Sequence, residues 1–259
     1  MSALALITGA SSGIGRAYAT RLAAAGHDLV IVARREHRLR DLAASLSPQV
    51  DVQIVVADLA TDDGIDDVAA VCAERPLTML INNAGIGHYM PITELSVEQA
   101  RELLYVKVVA PALLTRAAAI GMKSRGDGTV VNVAGMLAFS GPADASKPGR
   151  ALYAGTLALA VASSQTLSVE LEGDGLRFQV VCPGIVATEF HTVQGMDLSA
   201  FPRMSADDVV SASLRGLELG EVVCAPGLED AGLLTTVFEA QLAAFAGQSP
   251  DLASRYRES

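Results

Sequence analysis

The chain has 259 residues, of which 51% are hydrophobic and 19% are charged, and this composition excludes a disordered polypeptide. Its length predicts a single domain over residues 1–259. The net charge of −10 opposes binding to nucleic acid or to an anionic membrane surface, so we expect neither partner.

Cysteine and histidine are few and widely spaced. Cys72, Cys182 and Cys224 form no C-x-x-C pair, and the four histidines show no ligand spacing, so we expect no disulfide and no metal site. The apolar start at Met1–Ile7 is short and lacks a basic leader. We therefore expect a cytoplasmic protein that is neither exported nor membrane-spanning.

Short β-branched runs alternate with longer segments rich in Ala and Leu along the whole chain. The predicted strands are Ala3–Ile7, Asp28–Val32, Val52–Ala57, Thr78–Ile81, Thr129–Val133, Phe178–Val181 and a weaker Val222–Cys224. Helices are predicted between them at Ile14–Ala25, Asp62–Glu74 and Glu98–Lys123. Because these strands are apolar on both faces, the pattern predicts a doubly wound α/β fold with about seven parallel strands.

Two later segments differ from this alternation. Residues Ala151–Ser164 carry almost no charge, which predicts either a core helix buried on every face or a helix packed against its copy in a homo-oligomer. Residues Thr192–Ser205 lack clear periodicity and are predicted to form a loop over the carboxyl edge of the sheet.

A glycine-rich stretch, Thr8–Gly15, connects the first predicted strand to the first helix. Glycines at such a turn let the backbone approach a pyrophosphate, and the following helix offers free N–H groups to it. The position between strand and helix is the context that dinucleotide binding requires.

Two further motifs follow at strand ends: Asn82-Asn83-Ala84-Gly85 after the fourth strand, and Pro183–Thr188 after the sixth. With Thr8–Gly15 they make the chain similar to the short-chain dehydrogenase/reductase family over roughly Ala3–Thr188. The resemblance implies a Rossmann fold, oxidoreductase activity and a nicotinamide dinucleotide. It also implies the cofactor-binding residues Gly9, Ser11, Ser12, Ile14, Gly15, Asp58, Leu59, Asn83, Ala84, Gly85, Tyr153, Pro183, Gly184, Val186 and Thr188.

The end of the second strand indicates which dinucleotide is bound. The sequence there is Ala33-Arg34-Arg35, with no acid to bind a ribose 2′-hydroxyl or to repel a 2′-phosphate. Arg34 is placed to bind that phosphate, which predicts NADP(H). The alternative is that Arg34, Arg35 and Arg38 are only the solvated start of a helix.

The resemblance assigns proton transfer to Tyr153, but three supporting positions depart from the family pattern. Leu157 stands in place of the family's lysine, Lys107 in place of its asparagine, and Gly135 in place of its serine. An insertion within Ser140–Lys147 leaves Ser140 as a second candidate for the serine role.

Without the lysine, a tyrosine with a pKa near 10 is ionised in only about one molecule in a thousand at pH 7. Alcohol oxidation needs the phenolate, whereas carbonyl reduction needs the neutral phenol, so the sequence predicts a bias toward reduction. Lys107 either replaces the missing charge in part or takes no role in a decayed site. The alternative function is dinucleotide binding without redox turnover, as a sensor, a partner subunit or a non-redox catalyst.

Substrate and assembly are predicted only in outline. The region 189–220 is expected to act as a substrate loop or lid, and its apolar side chains suit an apolar small-molecule carbonyl substrate; these are Phe190, His191, Val193, Met196, Leu198 and Phe201. For His88 and Tyr89 a surface role is favoured over lining the pocket mouth. By resemblance, a homodimer or homotetramer built across the helix of Tyr153 is expected.

Overall fold

A computed structural model of the chain describes residues 3–143 and 149–257. The chain forms two compact units, Met1–Pro226 and Gly227–Ser259. A single domain over residues 1–259 stays a prediction. The predicted insertion at Ser140–Lys147 lies partly outside the described residues.

The first unit is built on a parallel sheet of seven strands in the order β3-β2-β1-β4-β5-β6-β7. The strands are β1 (Leu4–Thr8), β2 (Asp28–Ala33), β3 (Val52–Val56), β4 (Met79–Asn82), β5 (Gly128–Val133), β6 (Leu176–Val181) and β7 (Val223–Cys224). All seven predicted strands are present, with ends shifted by at most two residues. The doubly wound α/β prediction is therefore confirmed.

Helices connect the strands and cover both faces of the sheet. They are α1 (Gly13–Ala24), α2 (Glu36–Leu46), α3 (Asp62–Glu74), α4 (Val97–Leu104), α5 (Ala110–Arg125), α6 (Ala151–Glu170), α7 (Phe190–Val193) and α8 (Ala206–Leu219). Short 3₁₀ turns cover Met136–Phe139 and, in the second unit, Ser254–Tyr256.

The core consists of two layers, one on each side of the sheet, because successive strand residues point to opposite faces. Ile7, Ile31 and Ile81 pack with α1, α2 and α8 on one face. Leu6 and Leu80 pack with α3 and α5 on the other. Strands buried on both faces have no polar side, which explains the continuous apolar runs in the sequence.

The predicted helix Glu98–Lys123 is interrupted in the structure by a π-helical turn at Tyr105–Val109, between α4 and α5. The helix begins with a capping box between Ser96 and Gln99. The whole stretch Val97–Arg125 is long and apolar enough to span a membrane by length and composition, and so is α6. Both contact the sheet, as the core helices of a sheet protein do, so these two criteria alone are weak evidence for a span.

Helix α6 differs from the expectation of burial on every face. Tyr153, Leu157 and Val161 are buried, but Leu159 and Val169 on other faces are 45% and 71% exposed. The lack of charge on this helix therefore reflects one buried face and one apolar exposed face. The homo-oligomer alternative stays a prediction.

The segment after β6 partly follows the loop prediction. Helix α7 takes its first residues, and Met204 then forms an isolated bridge with Val186, in the turn that follows β6. The loop between them is thus fixed at both ends beside the carboxyl edge of the sheet.

The second unit contains α9 (Gly232–Ala246), all of whose residues are described. None of them is buried, and its large apolar side chains Leu233, Val237, Leu242 and Phe245 are exposed.

Candidate active site and cofactor site

The glycine-rich loop lies at the carboxyl end of β1, where the strand order reverses between β2 and β4. Gly9 has φ +68° and Gly13 has φ +55°, conformations that favour glycine. A Cβ at Gly15 would lie 2.4 Å from both the Gly9 carbonyl oxygen and the Asn83 Nδ2 atom. The loop therefore packs tightly against the Asn82–Gly85 turn and leaves no room there for a side chain.

Hydrogen bonds join the loop to that turn. The backbone N–H groups of Asn83 and Ala84 each donate to Thr8 Oγ1 at 3.0 Å. Asn83 Nδ2 donates to the carbonyl oxygens of Thr8 at 2.9 Å and Gly9 at 3.3 Å. The structure thus brings two of the three sequence motifs into direct contact.

The third motif reaches the same place from β6. A Cβ at Gly13 would lie 3.0 Å from Thr188 Cγ2. The Pro183 carbonyl accepts a hydrogen bond from the Met136 N–H at 2.9 Å, which ties the Pro183-Gly184 turn to the end of β5. Leu59 and Val186, by contrast, have buried side chains within the two core layers, and Ile14 is half-buried against one of them.

The three arginines after β2 have different partners. Arg35 Nη2 donates to the hydroxyls of Ser11 and Ser12, each at 2.9 Å. Arg34, which the sequence favoured for phosphate binding, lies 3.7 Å from both Asp58 and Glu102 and is 56% exposed. Arg35 is therefore the arginine that contacts the glycine-rich loop in this structure.

An acidic residue from a distant part of the chain faces the same arginines. Glu189 lies 2.5 Å from Arg35 Nη1 and 2.7 Å from Arg38 Nη1. Burial acts to raise the pKa of Glu189, but hydrogen bonds from Arg38, Arg35 and Ser12 outweigh it and lower the pKa to about 2. The sequence analysis found no acid at the end of the second strand that would repel a 2′-phosphate. Glu189, from a distant part of the chain, is such an acid.

These residues fit a dinucleotide. The loop leads into the start of α1, whose free N–H groups can bind a phosphate, and the hydroxyls of Ser11 and Ser12 together with the Arg35 guanidinium supply further donors for phosphate oxygens. Within the described residues, no group of three or more His, Cys, Asp or Glu side chains is placed to hold a metal ion.

Tyr153 lies in the first turn of α6 and is buried. We call the rings of Tyr89, Phe190 and His191 the aromatic wall: Tyr89 and Phe190 lie beside Tyr153, and His191 lies against both of those rings. Tyr89 has its ring centroid 4.8 Å from that of Tyr153, and Phe190 lies at 6.5 Å. Burial, followed by the charge and the hydrogen bonding of Tyr89, raises the pKa of Tyr153 well above its ordinary value, so the phenol is protonated at neutral pH.

The aromatic wall includes a residue whose favoured role from the sequence was at the surface. Tyr89 is half-buried, and its ring also lies 6.1 Å from that of His191. Burial and the nearby Arg203 lower the pKa of His191, which favours its neutral form. The wall is therefore aromatic and largely uncharged.

Leu157 and Gly135, which the resemblance matches to the family's lysine and serine, have no hydrogen-bonding side chain. Leu157 is 1% exposed, one turn after Tyr153. A Cβ built on Gly135 would lie 3.6 Å from Leu157 Cδ1 and 3.5 Å from the Pro183 carbonyl oxygen, which are ordinary contact distances. The site therefore has room for a small side chain at 135 but contains none.

Lys107 comes from the π turn, a feature that often marks functional positions in helices. Its Nζ donates to the Val133 carbonyl at 3.2 Å and lies 3.4 Å from where a Gly85 Cβ would be. Burial lowers the pKa of Lys107 to about 8, and nearby Cys182 opposes this shift. Its charge thus lies between the end of β5 and the Asn82–Gly85 turn.

Ser140, the second candidate for the serine role, has other partners. Its Oγ donates to the Leu137 carbonyl at 2.8 Å and accepts from Arg150 Nε at 2.9 Å. The Ser140 carbonyl accepts from Arg150 Nη2 at 2.8 Å. These contacts hold Ser140 between the 3₁₀ turn Met136–Phe139 and Arg150.

Behind the site, a buried chain of side-chain hydrogen bonds runs across the neighbouring strands β4 and β5 and joins them to two helices. Asn82 Nδ2 donates to Thr115 Oγ1 at 3.0 Å and to Asn132 Oδ1 at 2.9 Å, and Asn132 Nδ2 donates to Ser164 Oγ at 3.0 Å. This network fixes β4 and β5 against α5 and α6, the helices on which the catalytic candidates depend.

A parallel sheet with a glycine-rich loop at its switch point defines a nucleotide-binding α/β protein of the Rossmann type. The model of the short chain dehydrogenase family matches residues 3–197, and the chain belongs to that family of oxidoreductases. The resemblance inferred from the three motifs is confirmed.

Two relatives by sequence are reductases. The chain is 32% identical over 211 residues to sulfoacetaldehyde reductase 2 of Chromohalobacter salexigens, covering 80% of this chain and 82% of that protein. It is 31% identical over 198 residues to a very-long-chain 3-oxoacyl-CoA reductase of Pyrenophora tritici-repentis, covering 73% of this chain and only 57% of that protein.

Two solved structures are similar over almost their whole length. A short-chain dehydrogenase from Sphingobium yanoikuyae in complex with NADPH has a TM-score of 0.93 and 33% identity, covering 98% of this chain and all (100%) of that chain. A bulky-bulky ketone specific alcohol dehydrogenase from Comamonas testosteroni has a TM-score of 0.89 and 30% identity, with 99% of each chain covered.

The sequence reasoning missed the roles of Tyr89, Arg35 and Glu189 in this site. Arg35 could have been found from the charge argument made for its neighbour Arg34. Tyr89 and Glu189 each follow a recognised motif by one or a few residues, but no local pattern indicates their partners.

Replacing Tyr89 with Phe is expected to lower the pKa of Tyr153, because the Tyr89 hydroxyl and its charge both act to raise it. The pKa should stay above the ordinary value near 10, since burial is the larger cause. NMR titration of ¹³Cζ-labelled tyrosine, assigned with Tyr153→Phe, measures the change. The exposed Tyr256→Phe variant is the control, and an unchanged or higher Tyr153 pKa in Tyr89→Phe contradicts the assignment.

Proposed function

We propose that this protein is an NADP(H)-dependent reductase of apolar carbonyl compounds, with Tyr153 as the proton donor. The observation that carries the proposal is the state of Tyr153: its phenol is buried beside the aromatic wall and its pKa is raised. A neutral phenol is the species that reduction needs, whereas alcohol oxidation needs a phenolate that this environment disfavours.

NADPH, when bound, supplies the hydride that reduces the carbonyl carbon. The Tyr153 Oη donates its proton to the carbonyl oxygen, which gives the alcohol and leaves a phenolate that is reprotonated from solvent. Because Gly135 has no hydroxyl, the substrate oxygen lacks the second hydrogen bond that the family pattern implies. We expect this loss to slow the reaction without changing its direction.

The donors at the glycine-rich loop support NADP(H) over NAD(H). Arg35 contacts Ser11 and Ser12, and Arg38 stands one helical turn further along α2. Two guanidinium groups at this place suit a phosphate better than a ribose hydroxyl. The NADPH named for the Sphingobium structure favours the same cofactor.

The aromatic wall and the names of the relatives support the substrate class. One similar structure is named for bulky ketones and two relatives are named as reductases of an aldehyde and of a long-chain 3-oxoacyl thioester. Their shared chemistry is a carbonyl group and the corresponding alcohol. The rings of Tyr89 and Phe190 beside Tyr153 favour an apolar substituent on that carbonyl.

We assign Lys107 a supporting role, in which its ammonium replaces part of the missing lysine charge. Its Nζ lies near Gly85, on the turn that the resemblance places at the cofactor ribose. Because Leu157 is apolar, Lys107 is the charge we expect to stabilise the developing phenolate and to hold the cofactor.

An exposed apolar face on α5 and α6 supports a proposal for how copies of the chain assemble. Helices α5 and α6 expose Leu113, Ile120 and Leu159, and an apolar cavity of about 520 Å³ lies between these helices. We propose that this face joins copies of the chain into a homodimer or homotetramer.

The buried free thiols Cys72, Cys182 and Cys224 suit the reducing cytoplasm.

NADPH is expected to bind at least about tenfold more tightly than NADH, and Arg35→Ala should remove most of that difference. Arg40→Ala is the matched control, because Arg40 lies on the same helix but pairs with the exposed Glu36. Titration followed by nicotinamide fluorescence measures all three proteins. Equal binding of the two dinucleotides to the unmodified protein would contradict the NADP(H) assignment.

Tyr153→Phe is expected to lower kcat/KM for ketone reduction at least about a hundredfold, because it removes the proton donor. Loss of nicotinamide absorbance with a bulky aryl ketone or a long-chain 3-oxoacyl thioester is the assay, and Tyr256→Phe is the control.

Gly135→Ser should raise the rate, since the position accepts a Cβ. NADPH binding without turnover on any carbonyl would instead favour the non-redox alternative.

Lys107→Met tests the supporting role through pH. In the unmodified protein, kcat/KM should fall as the pH rises through about 8, because the Lys107 ammonium loses its proton there. Below that pH, Lys107→Met should have a lower kcat/KM than the unmodified protein. Its kcat/KM should not fall as the pH rises through about 8. A variant with the rate, NADPH affinity and pH profile of the unmodified protein would show that Lys107 takes no part.

A further inference from the structure

The Glu189 carboxylate lies among the groups that bind the cofactor phosphates in our proposal. It is 2.5 Å from Arg35 Nη1, and Arg38 Nη1 donates to both of its oxygens at 2.8 and 2.7 Å. Ser12 also hydrogen-bonds it. Every one of these partners is a donor at or beside the glycine-rich loop.

The other terminal nitrogen of the Arg35 guanidinium binds the glycine-rich loop. While its Nη1 faces Glu189, its Nη2 donates to the hydroxyls of Ser11 and Ser12. A carboxylate held by two guanidinium groups and a serine hydroxyl is an anion in an anion-binding site. The protein thus places its own anion against the donors that a phosphate group of the cofactor would use.

We infer that Glu189 competes with the 2′-phosphate of NADP(H) for Arg35 and Arg38, and that it thereby sets how strongly the protein discriminates NADPH from NADH. The inference rests on the proposed function. It identifies Glu189 as a specificity-determining residue in a position that the motif pattern leaves unassigned.

The negative charge of Glu189 determines that it weakens the binding of NADPH rather than that of NADH. Glu189 stays ionised at neutral pH because its partners hold its pKa near 2. A dianionic phosphate that approaches the same guanidinium groups must displace this carboxylate or bind beside it, and both cost free energy. NADH carries no charge at the ribose 2′ position, so it does not meet this competition.

The acids near Arg34 do not compete in the same way. Asp58 and Glu102 lie 3.7 Å from Arg34, beyond hydrogen-bonding distance, and Arg34 is 56% exposed. Glu189 makes shorter contacts, to two arginines at once. It also immediately precedes α7, so displacing it would affect the segment that carries Phe190 and His191 of the aromatic wall.

The experiment compares Glu189→Gln with the unmodified protein. Glutamine keeps the shape of the side chain and removes its charge. The matched control is Glu36→Gln, which removes a carboxylate that pairs with Arg40 on the exposed side of α2. Dissociation constants for NADPH, NADH and adenosine 2′,5′-bisphosphate are measured by fluorescence titration and competition.

We expect Glu189→Gln to bind NADPH and adenosine 2′,5′-bisphosphate about five- to tenfold more tightly, and NADH within about twofold of the unmodified protein. Glu36→Gln should change none of these constants. Glu189→Asp, which keeps the charge but withdraws the carboxylate, should give an intermediate NADPH affinity and serves as the second variant if Glu189→Gln folds poorly.

Three outcomes overturn the inference while leaving the proposed function intact. Weaker NADPH binding by Glu189→Gln would mean that Glu189 positions the arginines for the cofactor. Equal tightening of NADPH and NADH would mean that it opposes the pyrophosphate common to both. Unchanged constants would mean that it does not compete. If the unmodified protein binds neither dinucleotide, the proposed function fails and the inference fails with it.

Discussion

The close contact between the glycine-rich loop and the turn after β4 fixes the geometry on which the rest of the site depends. Gly15 lies so near Asn83 and the Gly9 carbonyl that a single methyl group would separate them. The Thr8 hydroxyl, bonded to two successive N–H groups of that turn, holds the contact from the core side. The start of α1 and the Asn82–Gly85 turn are therefore held together by the lack of side chains at the glycines and by hydrogen bonds of Thr8 and Asn83 to backbone groups.

Around this centre, the charged and hydroxyl groups lie at other positions than the resemblance implies. The two positions to which the resemblance assigns a cation and a hydroxyl hold Leu157 and Gly135, and a Cβ added at Gly135 would contact Leu157. A cation is present nearby, but it comes from the π turn as Lys107. A hydroxyl is present too, on Tyr89 beside the phenol. A cation and a hydroxyl are thus both present in the fold around Tyr153, but at positions other than those that the resemblance implies.

The fold and the cofactor loop were predictable because their signals are local. A buried parallel strand is a short apolar run, and the loop needs glycines at fixed places, so Leu4–Thr8 and Gly9–Gly15 can be recognised from neighbouring residues alone. The burial of α6 was predicted less well, because a lack of charge does not distinguish a helix buried on all sides from one with an exposed apolar face.

The parts that could not be predicted are contacts between distant segments. Glu189 is more than 150 positions after Arg35 in the chain, and only the folded sheet brings the two together. The choice between Arg34 and Arg35 depends on the path of the chain between the end of β2 and the start of α2, where neither residue lies in a strand or a helix and no regular side-chain alternation applies. The packing of Tyr89 on Tyr153 likewise depends on how the turn after β4 meets the start of α6.

The π turn at Tyr105–Val109 makes the position of the Lys107 ammonium depend on the phase of the helix. A π-helical turn takes up one residue more than a turn of α-helix, so the faces of α4 and α5 are rotated out of phase with each other across it. Helix α5 can therefore keep Leu114 and Ala118 in the core while Lys107 reaches the Val133 carbonyl. Deleting one residue here would change no functional group, yet it would turn the ammonium to another side of the helix. In this protein the number of residues in a helix, as well as their identity, determines where a charge lies.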